Sequence, residues 1–328
     1  MAQQGLRCCW QPSPNIIRSV TFLARRGGGS SSSRRARSRR VLLSSSRGIC
    51  SEPGGAVAVR DHGNFSVIQY PILDDNYSWV VLDKHSNEAA AIDPADASRA
   101  QAVASTHGCQ LTTVLCTHKH WDHAGGNATL AAALPGLRVV GSHYEECPAV
   151  TETVQDQGRF SLFSTGSVTA DVLHTPCHTS GHIAFVLSAD QGYASALFCG
   201  DTLFVGGCGR FFEGSAGDMY NSLCKLSRLP PDTVVYCGHE YSASNMKFAM
   251  TVEPDNRALQ AKSAWVAAQR EAGLPTVPTT IGDELAYNPF MRVDEEDVCS
   301  AMGMNSWGDG GAAAVATMRE LRQRKDDF

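Results

Sequence analysis

Short apolar runs separated by turn residues follow one another from about residue 65. Residues 67–70, 78–82 and 89–92 are such runs, each bounded by Pro, Asp or Asn, and this pattern predicts three strands at the antiparallel beginning of a sheet. A helix from Ala97 to about His107, closed by Gly108, is predicted next. The buried strand predicted over 111–116 then runs directly into a cluster of histidines.

The same pattern recurs downstream, because four apolar runs end in turns that carry a potential metal ligand. Residues 111–116 lead to the histidine cluster, 172–173 to His178, 196–199 to Asp201, and 234–237 to His239. Loops at one rim of a rigid sheet are a common place for functional side chains. We therefore expect these four turns to meet in space.

After Tyr241 the strand pattern stops and helical signals take over. Asp255 or Asn256 can cap a helix that runs to about Ala272, with Gly273 as its C-terminal cap. A Pro/Thr-rich loop over 275–280 follows, and a last helix begins at about Ala312. We expect a metal-binding domain over residues 62–240 and a helical domain over residues 241–328.

The N-terminal segment differs sharply from the rest in charge. Ten Arg and no Asp, Glu or Lys precede Glu52, and Ser residues cluster there, which is typical of an organellar transit peptide. We expect residues 1–55 to be disordered and to direct the chain to the mitochondrion, with the plastid as the alternative; a basic tail that binds nucleic acid is the competing interpretation.

The rest of the chain is acidic. It holds 18 Lys and Arg against 33 Asp and Glu, a balance of −15, which argues against a nucleic-acid partner. No run of 18 or more apolar residues occurs, so we expect no membrane span.

Residues 117–123 concentrate metal-ligand side chains in one loop. With the ligands of the later turns they make seven candidates, which are His118, His120, Asp122, His123, His178, Asp201 and His239. Two ions of four to six ligands each need about this number if one carboxylate, most naturally Asp201, bridges them. Such a pair lowers the pKa of a shared water to about 7. The residues predict a hydrolase with two divalent ions, for which Zn is our expectation and Fe or Mn the alternatives.

Several motifs carry a family resemblance from about Phe65 to the C-terminus. They lie at residues 117–127, 174–182, 200–204, 207–214, 237–241, 288–292 and 322–328. Together they resemble the metallo-β-lactamase superfamily in the form found in the glyoxalase II, or hydroxyacylglutathione hydrolase, family. The resemblance implies an α/β protein, an αββα sandwich followed by an all-α C-terminal domain.

The resemblance also implies a reaction and roles for particular residues. His118, His120 and His178 would hold one metal, Asp122, His123 and His239 the other, and Asp201 would bridge them; Asp122 would also orient the hydroxide. The substrate would be a glutathione thioester such as S-D-lactoylglutathione, hydrolysed to glutathione and D-lactate by a monomer, in the second step of methylglyoxal detoxification. Substrate-binding positions would be Arg210, Phe211, Phe212, His239, Glu240, Tyr241, Arg322 and Lys325.

Two of these positions depart from the family pattern. Phe212 stands where some members have Tyr, so it keeps the packing but lacks the hydroxyl contact. Arg210 replaces a lysine, which keeps the charge but changes its geometry.

Three other functions remain open at this point. A persulfide dioxygenase with one iron resembles the chain at the first motif but should lack the basic terminal helix. A two-metal phosphodiesterase or RNA-processing nuclease uses the same loop, although the acidic chain argues against it. A non-catalytic metal-binding relative is the third, and the intact set of ligands argues against that.

Overall fold

The first sheet begins with antiparallel strands and ends with parallel ones. In this computed structural model, which describes residues 48–52, 55–304 and 311–328, eight strands lie in sequence order across the sheet. They are β1 (Gly48–Glu52), β2 (Gly55–Asp61), β3 (Phe65–Ile72), β4 (Asn76–Asp83), β5 (Glu88–Ile92), β6 (Gln110–Leu115), β7 (Arg138–Ser142) and β8 (Glu152–Val154). Pairing is antiparallel from β1 to β5 and parallel from β5 to β8.

The second sheet has six strands in the order β16-β15-β12-β11-β10-β9. These are β9 (Arg159–Ser161), β10 (Thr169–His174), β11 (Ile183–Leu187), β12 (Ala196–Gly200), β15 (Val234–Cys237) and β16 (Thr279–Thr280). A small hairpin of β13 (Leu203–Phe204) and β14 (Gly207–Cys208) lies between β12 and β15 in the sequence.

The helices are distributed along the chain as connections and as a C-terminal group. They are α1 (Ala97–Thr106), α2 (Trp121–Ala124), α3 (Asn127–Ala133), α4 (Ala216–Leu226), α5 (Ser242–Val252), α6 (Arg257–Glu271), α7 (Ile281–Tyr287), α8 (Glu296–Ala301) and α9 (Ala312–Asp327), with a 3-10 turn at Pro289–Met291. Among the described residues, no helix is both long enough and apolar enough to cross a membrane.

Side chains that alternate along β3 separate two hydrophobic cores. Phe65 and Val67 belong to the core that joins the two sheets, whereas Ile68 and Tyr70 belong to a second core on the other face, together with residues of α1 and α3. This division follows from the two-residue period of a strand. Residues of α4, α5 and α9 extend the first core. The layers are therefore helix, sheet, sheet and helix, which confirms the predicted αββα sandwich with C-terminal helices.

Most predicted elements coincide with observed ones. The helix capped by Asn256 runs over Arg257–Glu271, and the Asn256 side chain accepts hydrogen bonds from the backbone N–H groups of Ala258 and Leu259. Gly273 follows at φ +68°, as expected for a C-terminal cap. The last helix begins at Ala312 as predicted. Strand β16 falls inside the predicted loop, because two residues that complete a ladder with β15 leave no periodic signal.

The N-terminal boundary differs from the sequence-based expectation. Residues 1–47 and 53–54 of the predicted transit peptide lie outside the described residues, whereas Gly48–Glu52 pair with β2. Strand β2 itself starts at Gly55, ahead of the predicted domain start at residue 62. Backbone pairing to β3 provides the reason, since a ladder of hydrogen bonds can extend beyond the apolar runs used for the prediction.

Candidate metal centre

The loop after β6 turns sharply at His120, which separates two pairs of candidate ligands. His118 precedes this turn, and His120, on extended backbone, is the N-terminal cap of the short helix that carries Asp122 and His123. The backbone N–H groups of His123 and Ala124 both donate to the carbonyl oxygen of His120. This turn lets ligands that are adjacent in the sequence face different sides of one centre.

The four turns meet, as the sequence pattern predicts. Three groups of side chains each have ligand atoms within 4.8 Å of one another, and together they contain all seven candidates. The groups are His118 with His120 and His178, His118 with His123 and Asp201, and Asp122 with His123 and His239. The first and third groups coincide with the two ligand sets that the family resemblance implies.

Two carboxylates fix the orientation of two of these imidazoles. Asp93 Oδ2 lies 2.9 Å from His123 Nδ1, and Asp75 Oδ1 lies 2.9 Å from His239 Nδ1. A carboxylate can only accept, so each Nδ1 carries the hydrogen of its ring. In the neutral ring the other nitrogen, Nε2, then keeps its lone pair, as metal ligands require.

Two further imidazoles are fixed in the same sense by neutral acceptors. His178 Nδ1 lies 3.1 Å from the carbonyl oxygen of Arg210, and His118 Nδ1 lies 3.1 Å from Thr117 Oγ1. The Thr117 hydroxyl donates to Asp93 Oδ2 at 2.7 Å, so its oxygen is free to accept from His118. Burial, the largest influence, lowers the pKa of both His118 and His178 and favours their neutral forms.

The Nε2 atoms of these four histidines and Nδ1 of His120 lie close together. They carry more lone pairs than hydrogens. His118 Nε2 and His178 Nε2 lie 3.1 Å and 3.0 Å from the same atom, His120 Nδ1. One nitrogen carries at most one hydrogen and cannot donate to both neighbours. His123 Nε2 and His239 Nε2 also face each other at 3.4 Å. Such a surplus of buried lone pairs fits cations.

Asp201 lies at the middle of this arrangement. Its carboxylate oxygens are 3.2 Å from His123 Nε2, 3.4 Å from His178 Nε2 and 3.3 Å from His239 Nε2. Oδ1 is buried and has no hydrogen-bond partner among the described residues. Burial alone would raise the pKa of the Asp201 carboxyl, but His123 and His239, when protonated, hold that pKa well below the usual range. With these two rings neutral, a bound cation would have to supply the positive charge. A buried, ionised carboxylate with an unused oxygen between two histidine groups fits a shared metal ligand.

Two glycines, which directly precede His239 and Asp201, allow the loops that carry the candidate ligands to lie close together. A Cβ atom at Gly238 would lie 2.6 Å from both Asp201 Oδ1 and His123 Cε1. Gly200 has φ +45°, and a Cβ there would lie 2.4 Å from Thr117 Oγ1. Side chains at these two positions would displace the ligands or the groups that orient them.

Several orienting groups were only partly visible in the sequence. His182 supports the cluster as Asp93 does: it stacks on His118 at 4.7 Å between centroids, and its Nε2 accepts from the Asp201 backbone N–H at 3.1 Å. Asp75 and Asn76 were missed. Asn76 Nδ2 donates to Asp122 Oδ2 at 3.1 Å. Their only signal is an Asp-Asp-Asn turn between two strands, which ordinary hairpins share.

Two aromatic side chains flank the cluster on its exposed side. The Phe212 ring lies 5.0 Å from that of His178 and is 60% exposed. Tyr241 stacks on His239 with centroids 4.6 Å apart and an interplanar angle of 8°. Burial raises the pKa of Tyr241, so its hydroxyl remains a hydrogen-bond donor. These two predicted substrate positions therefore lie beside the candidate ligands.

The three basic side chains predicted to bind the substrate differ in how deeply they are buried. Arg322 is buried, and its guanidinium donates to the carbonyl oxygen of Cys208 at 3.2 Å and pairs with Asp326 at 2.8 Å. Lys325 is half-buried and donates to the carbonyl oxygen of Ser244 at 3.3 Å. Arg210 is largely exposed, with its Nε 3.5 Å from the same Asp326. Asp326 thus links the helix end to the loop after β14.

The side chains of two other predicted substrate-binding residues, Glu240 and Phe211, make contacts away from the candidate metal ligands. The Glu240 carboxylate accepts from the Tyr77 hydroxyl and the Thr276 backbone N–H, both at 2.8 Å, which leaves its backbone as the part near the centre. Phe211 is half-buried and packs against the core between the sheets. Their roles in substrate binding stay predictions.

The C-terminal helices also hold the hairpin that carries Phe204 beside His239. Asn288 Nδ2 donates to the carbonyl oxygens of Phe204 and Gly207 at 3.2 Å and 3.0 Å. The buried Glu284 accepts from the Gly206 backbone N–H at 2.9 Å. These bonds fix the hairpin from outside the two sheets, so the last quarter of the chain supports the metal centre directly.

The fold and the converging ligands define a metal-binding protein of the metallo-β-lactamase type. Residues 73–239 match the family described as the metallo-beta-lactamase superfamily. Residues 240–328 match the family described as the hydroxyacylglutathione hydrolase C-terminus.

The chain matches two individual relatives over nearly their whole length. A cytoplasmic hydroxyacylglutathione hydrolase of Arabidopsis thaliana is 44% identical over 80% of this chain and 98% of its own. A hydroxyacylglutathione hydrolase of Rhodospirillum rubrum is 44% identical over 79% and 97%. The chain therefore belongs to the hydroxyacylglutathione hydrolase family of the metallo-β-lactamase superfamily.

Solved structures agree with the fold. A metallo-beta-lactamase from Staphylococcus aureus superimposes with a TM-score of 0.54 at 23% identity, over 80% of this chain and 73% of that one. ETHE1 from Myxococcus xanthus gives a TM-score of 0.52 at 25% identity, over 76% and 98%.

Asp75 offers a test of the orienting carboxylates. Asp75→Asn keeps the size of the side chain but removes the charge that holds the His239 ring, so the affinity for Zn²⁺ should fall by about tenfold or more. A titration of metal-depleted protein against a competing chelator measures this change. Asp74→Asn, an exposed neighbour in the same turn, is the matched control. Equal zinc affinities in the two variants would contradict the orienting role.

Proposed function

We propose that this chain hydrolyses S-(2-hydroxyacyl)glutathione, typically S-D-lactoylglutathione, to glutathione and D-lactate. The observation that carries the proposal is the convergence of seven ligand-type side chains with four imidazoles held in one tautomer. Relatives named hydroxyacylglutathione hydrolase, 44% identical over most of the chain, support this substrate class. The acidic composition gives no support to a nuclease.

Two divalent ions, with Zn as our expectation, are the proposed cofactors. His118, His120 and His178 would hold one ion, Asp122, His123 and His239 the other, and Asp201 would contact both; the unused Asp201 oxygen supports this division. When bound, the ions supply a hydroxide at neutral pH and polarise the thioester carbonyl group. All seven candidate ligands lie close together within a single chain, so we propose that a monomer suffices for the reaction.

Asp122 is the proposed catalytic residue. Its side chain is 23% exposed and is thus more accessible than that of Asp201, the other candidate carboxylate. Its Oδ2 accepts a hydrogen bond from Asn76 Nδ2 at 3.1 Å. This hydrogen bond fixes one oxygen and leaves the carboxylate able to accept a hydrogen bond from the attacking water. The departing thiol has a pKa of about 8.5 and leaves as a thiolate, so no separate general acid is needed.

Glutathione brings two carboxylates to an acidic protein and therefore needs local cations. Arg210 and Lys325 reach solvent, while Arg322 is buried. We propose that Arg210 and Lys325 bind the tripeptide, with Phe212 and Tyr241 packing beside it. Arg322 supports them through Asp326, and its buried Nε has no acceptor among the described residues.

The one-iron dioxygenase is the main competing function. The match of residues 240–328 to the hydroxyacylglutathione hydrolase C-terminus favours hydrolysis, because the dioxygenase should lack the basic terminal helix.

Two assays on the purified full chain separate these functions. We expect loss of thioester absorbance with S-D-lactoylglutathione, no oxygen uptake with glutathione persulfide, and two metal ions per chain by elemental analysis. Metal removal by a chelator should reduce hydrolysis by about a hundredfold or more, because the nucleophile and the polarising charge are both lost. Added Zn²⁺ should restore the activity.

Two other results of these assays would contradict the proposed hydrolase activity. One iron per chain, together with oxygen uptake that exceeds thioester loss, would contradict the proposed hydrolase. A chain that binds two ions and turns over neither substrate would support the non-catalytic relative instead.

Lys325 should give the reaction a characteristic pH dependence. Burial, and then the charge of Arg322, lower its pKa to about 8, although Asp326 partly opposes the shift. The charged form is thus lost from the free enzyme as the pH rises through about 8, and kcat/KM should fall there because KM rises. Lys325→Arg keeps its charge and should lack this decline. Identical pH profiles of kcat/KM for the two proteins would argue against a contact between Lys325 and the substrate.

We also propose that residues 1–55 direct the chain to the mitochondrion. Ten arginines without an acidic residue before Glu52 support this address. A fusion of residues 1–60 to a fluorescent protein should enter mitochondria, and the same fusion with all ten arginines replaced by glutamine should remain in the cytosol. Import into plastids, or no change on replacement, would refute the proposal.

A further inference from the structure

A cavity separate from the metal centre lies between the first sheet and the C-terminal segment. It has a volume of about 170 Å³ and is bounded by β2 and β3 on one side and by α6 and the loop that follows it on the other. None of the residues that line it is a candidate metal ligand or a predicted substrate-binding position. A space of this size exceeds what a single water molecule needs and is comparable to a cavity that holds one aromatic ring.

Gln69 brings an unsatisfied amide to this cavity. The residue is 3% exposed, and neither its Nε2 nor its Oε1 has a hydrogen-bond partner among the described residues. A buried polar group without a partner is unfavourable, and native structures keep few of them. The side chain could form two hydrogen bonds at once, with Nε2 donating and Oε1 accepting. A ligand that carries an amide has the matching donor and acceptor.

Arg60 adds a positive charge on the same side. In the ladder between β2 and β3, Ala58 is opposite Gln69 and Arg60 is opposite Val67. Residues two apart on a strand share a face, so Arg60 and Gln69 lie on the face whose other members enter the core between the sheets. Among the described side chains no carboxylate pairs with Arg60. An arginine in this position fits a carboxylate of the ligand.

Apart from Gln269 of α6, the remaining walls are apolar or aromatic. Trp265, Leu274 and Val277 line the cavity from the C-terminal side. Tyr236 also lines it, but its hydroxyl is 2.8 Å from His62 Nε2 and is already engaged, so the ring is what it offers. The walls therefore fit a planar apolar group beyond the two polar contacts.

We propose that this cavity is a second ligand site for small N-acyl amino acids. Gln69 would pair with the amide of the ligand, Arg60 with its carboxylate, and the aromatic walls with its acyl group. The site is independent of the proposed hydrolytic reaction, because it shares no residue with the metal centre.

N-benzoylglycine is a suitable probe, since it combines a carboxylate, an amide and one aromatic ring. Calorimetric titration uses the metal-loaded full chain with the active site saturated by S-hexylglutathione, a thioether that cannot be hydrolysed. We expect one N-benzoylglycine per chain. Gln69→Met should weaken its binding by about tenfold or more, because two hydrogen bonds are lost, and Arg60→Met should have an effect of similar size.

A matched ligand of nearly the same size removes the amide N–H and keeps the carbonyl group. In 4-oxo-4-phenylbutanoate a methylene group replaces the N–H, so the wild-type chain should bind it more weakly than N-benzoylglycine. The Gln69→Met variant should lose this preference for N-benzoylglycine, which assigns the preference to the contact between Gln69 and the amide N–H. Both variants should keep wild-type kcat/KM and an unchanged or higher unfolding temperature, because the replaced polar groups have no hydrogen-bond or ion-pair partner among the described residues.

Three results would overturn the proposal. The first is no binding of N-benzoylglycine by the wild-type chain at millimolar concentration. The second is equal binding by the wild-type chain and both variants. The third is a crystal structure, after soaking with the probe, in which ordered water alone occupies the cavity and satisfies Gln69.

Discussion

The site depends on where the hydrogens of four imidazoles are placed. Asp93, Asp75, the Arg210 carbonyl oxygen and Thr117 each accept from an Nδ1 atom at 2.9–3.1 Å. Every one of these acceptors lies outside the cluster, so the Nε2 lone pairs point inward together. The arrangement costs little once the chain is folded, because each ring keeps one satisfied hydrogen bond while the other nitrogen is presented to a cation.

This constraint explains why the centre needs both sheets and the C-terminal region. The tip of the β3–β4 hairpin supplies Asp75, and its neighbour Asn76 pairs with His239, which follows β15 of the second sheet. Asp201 follows β12, while Asp93 follows β5. Glu284 and Asn288 fix the small hairpin from the C-terminal side. Loss of any of these contacts would turn a ring or move a carboxylate without removing a ligand.

The candidate ligands can be recognised in the sequence, whereas most of the groups that orient them cannot. Apolar runs that end in His178, Asp201 and His239 predict both the strands and their convergence, because strand ends on one rim must be neighbours. Asp75 and Asn76 carry no such signal, since turns of this composition occur in many hairpins. The burial of Arg322 was equally invisible: helical spacing predicts a shared face with Lys325, but not that the face lies against Cys208. Strand β16 was missed because it has only two residues, which are too few to show the alternation of apolar and polar side chains.

Neutron diffraction from crystals of the zinc-loaded chain tests the central claim most directly, because it locates hydrogen isotopes on individual ring nitrogens. We predict deuterium on Nδ1 of His118, His123, His178 and His239, none on their Nε2 atoms, and two zinc ions with Asp201 between them. Deuterium on any of these Nε2 atoms, or a single zinc ion with Asp201 bonded elsewhere, would contradict this claim.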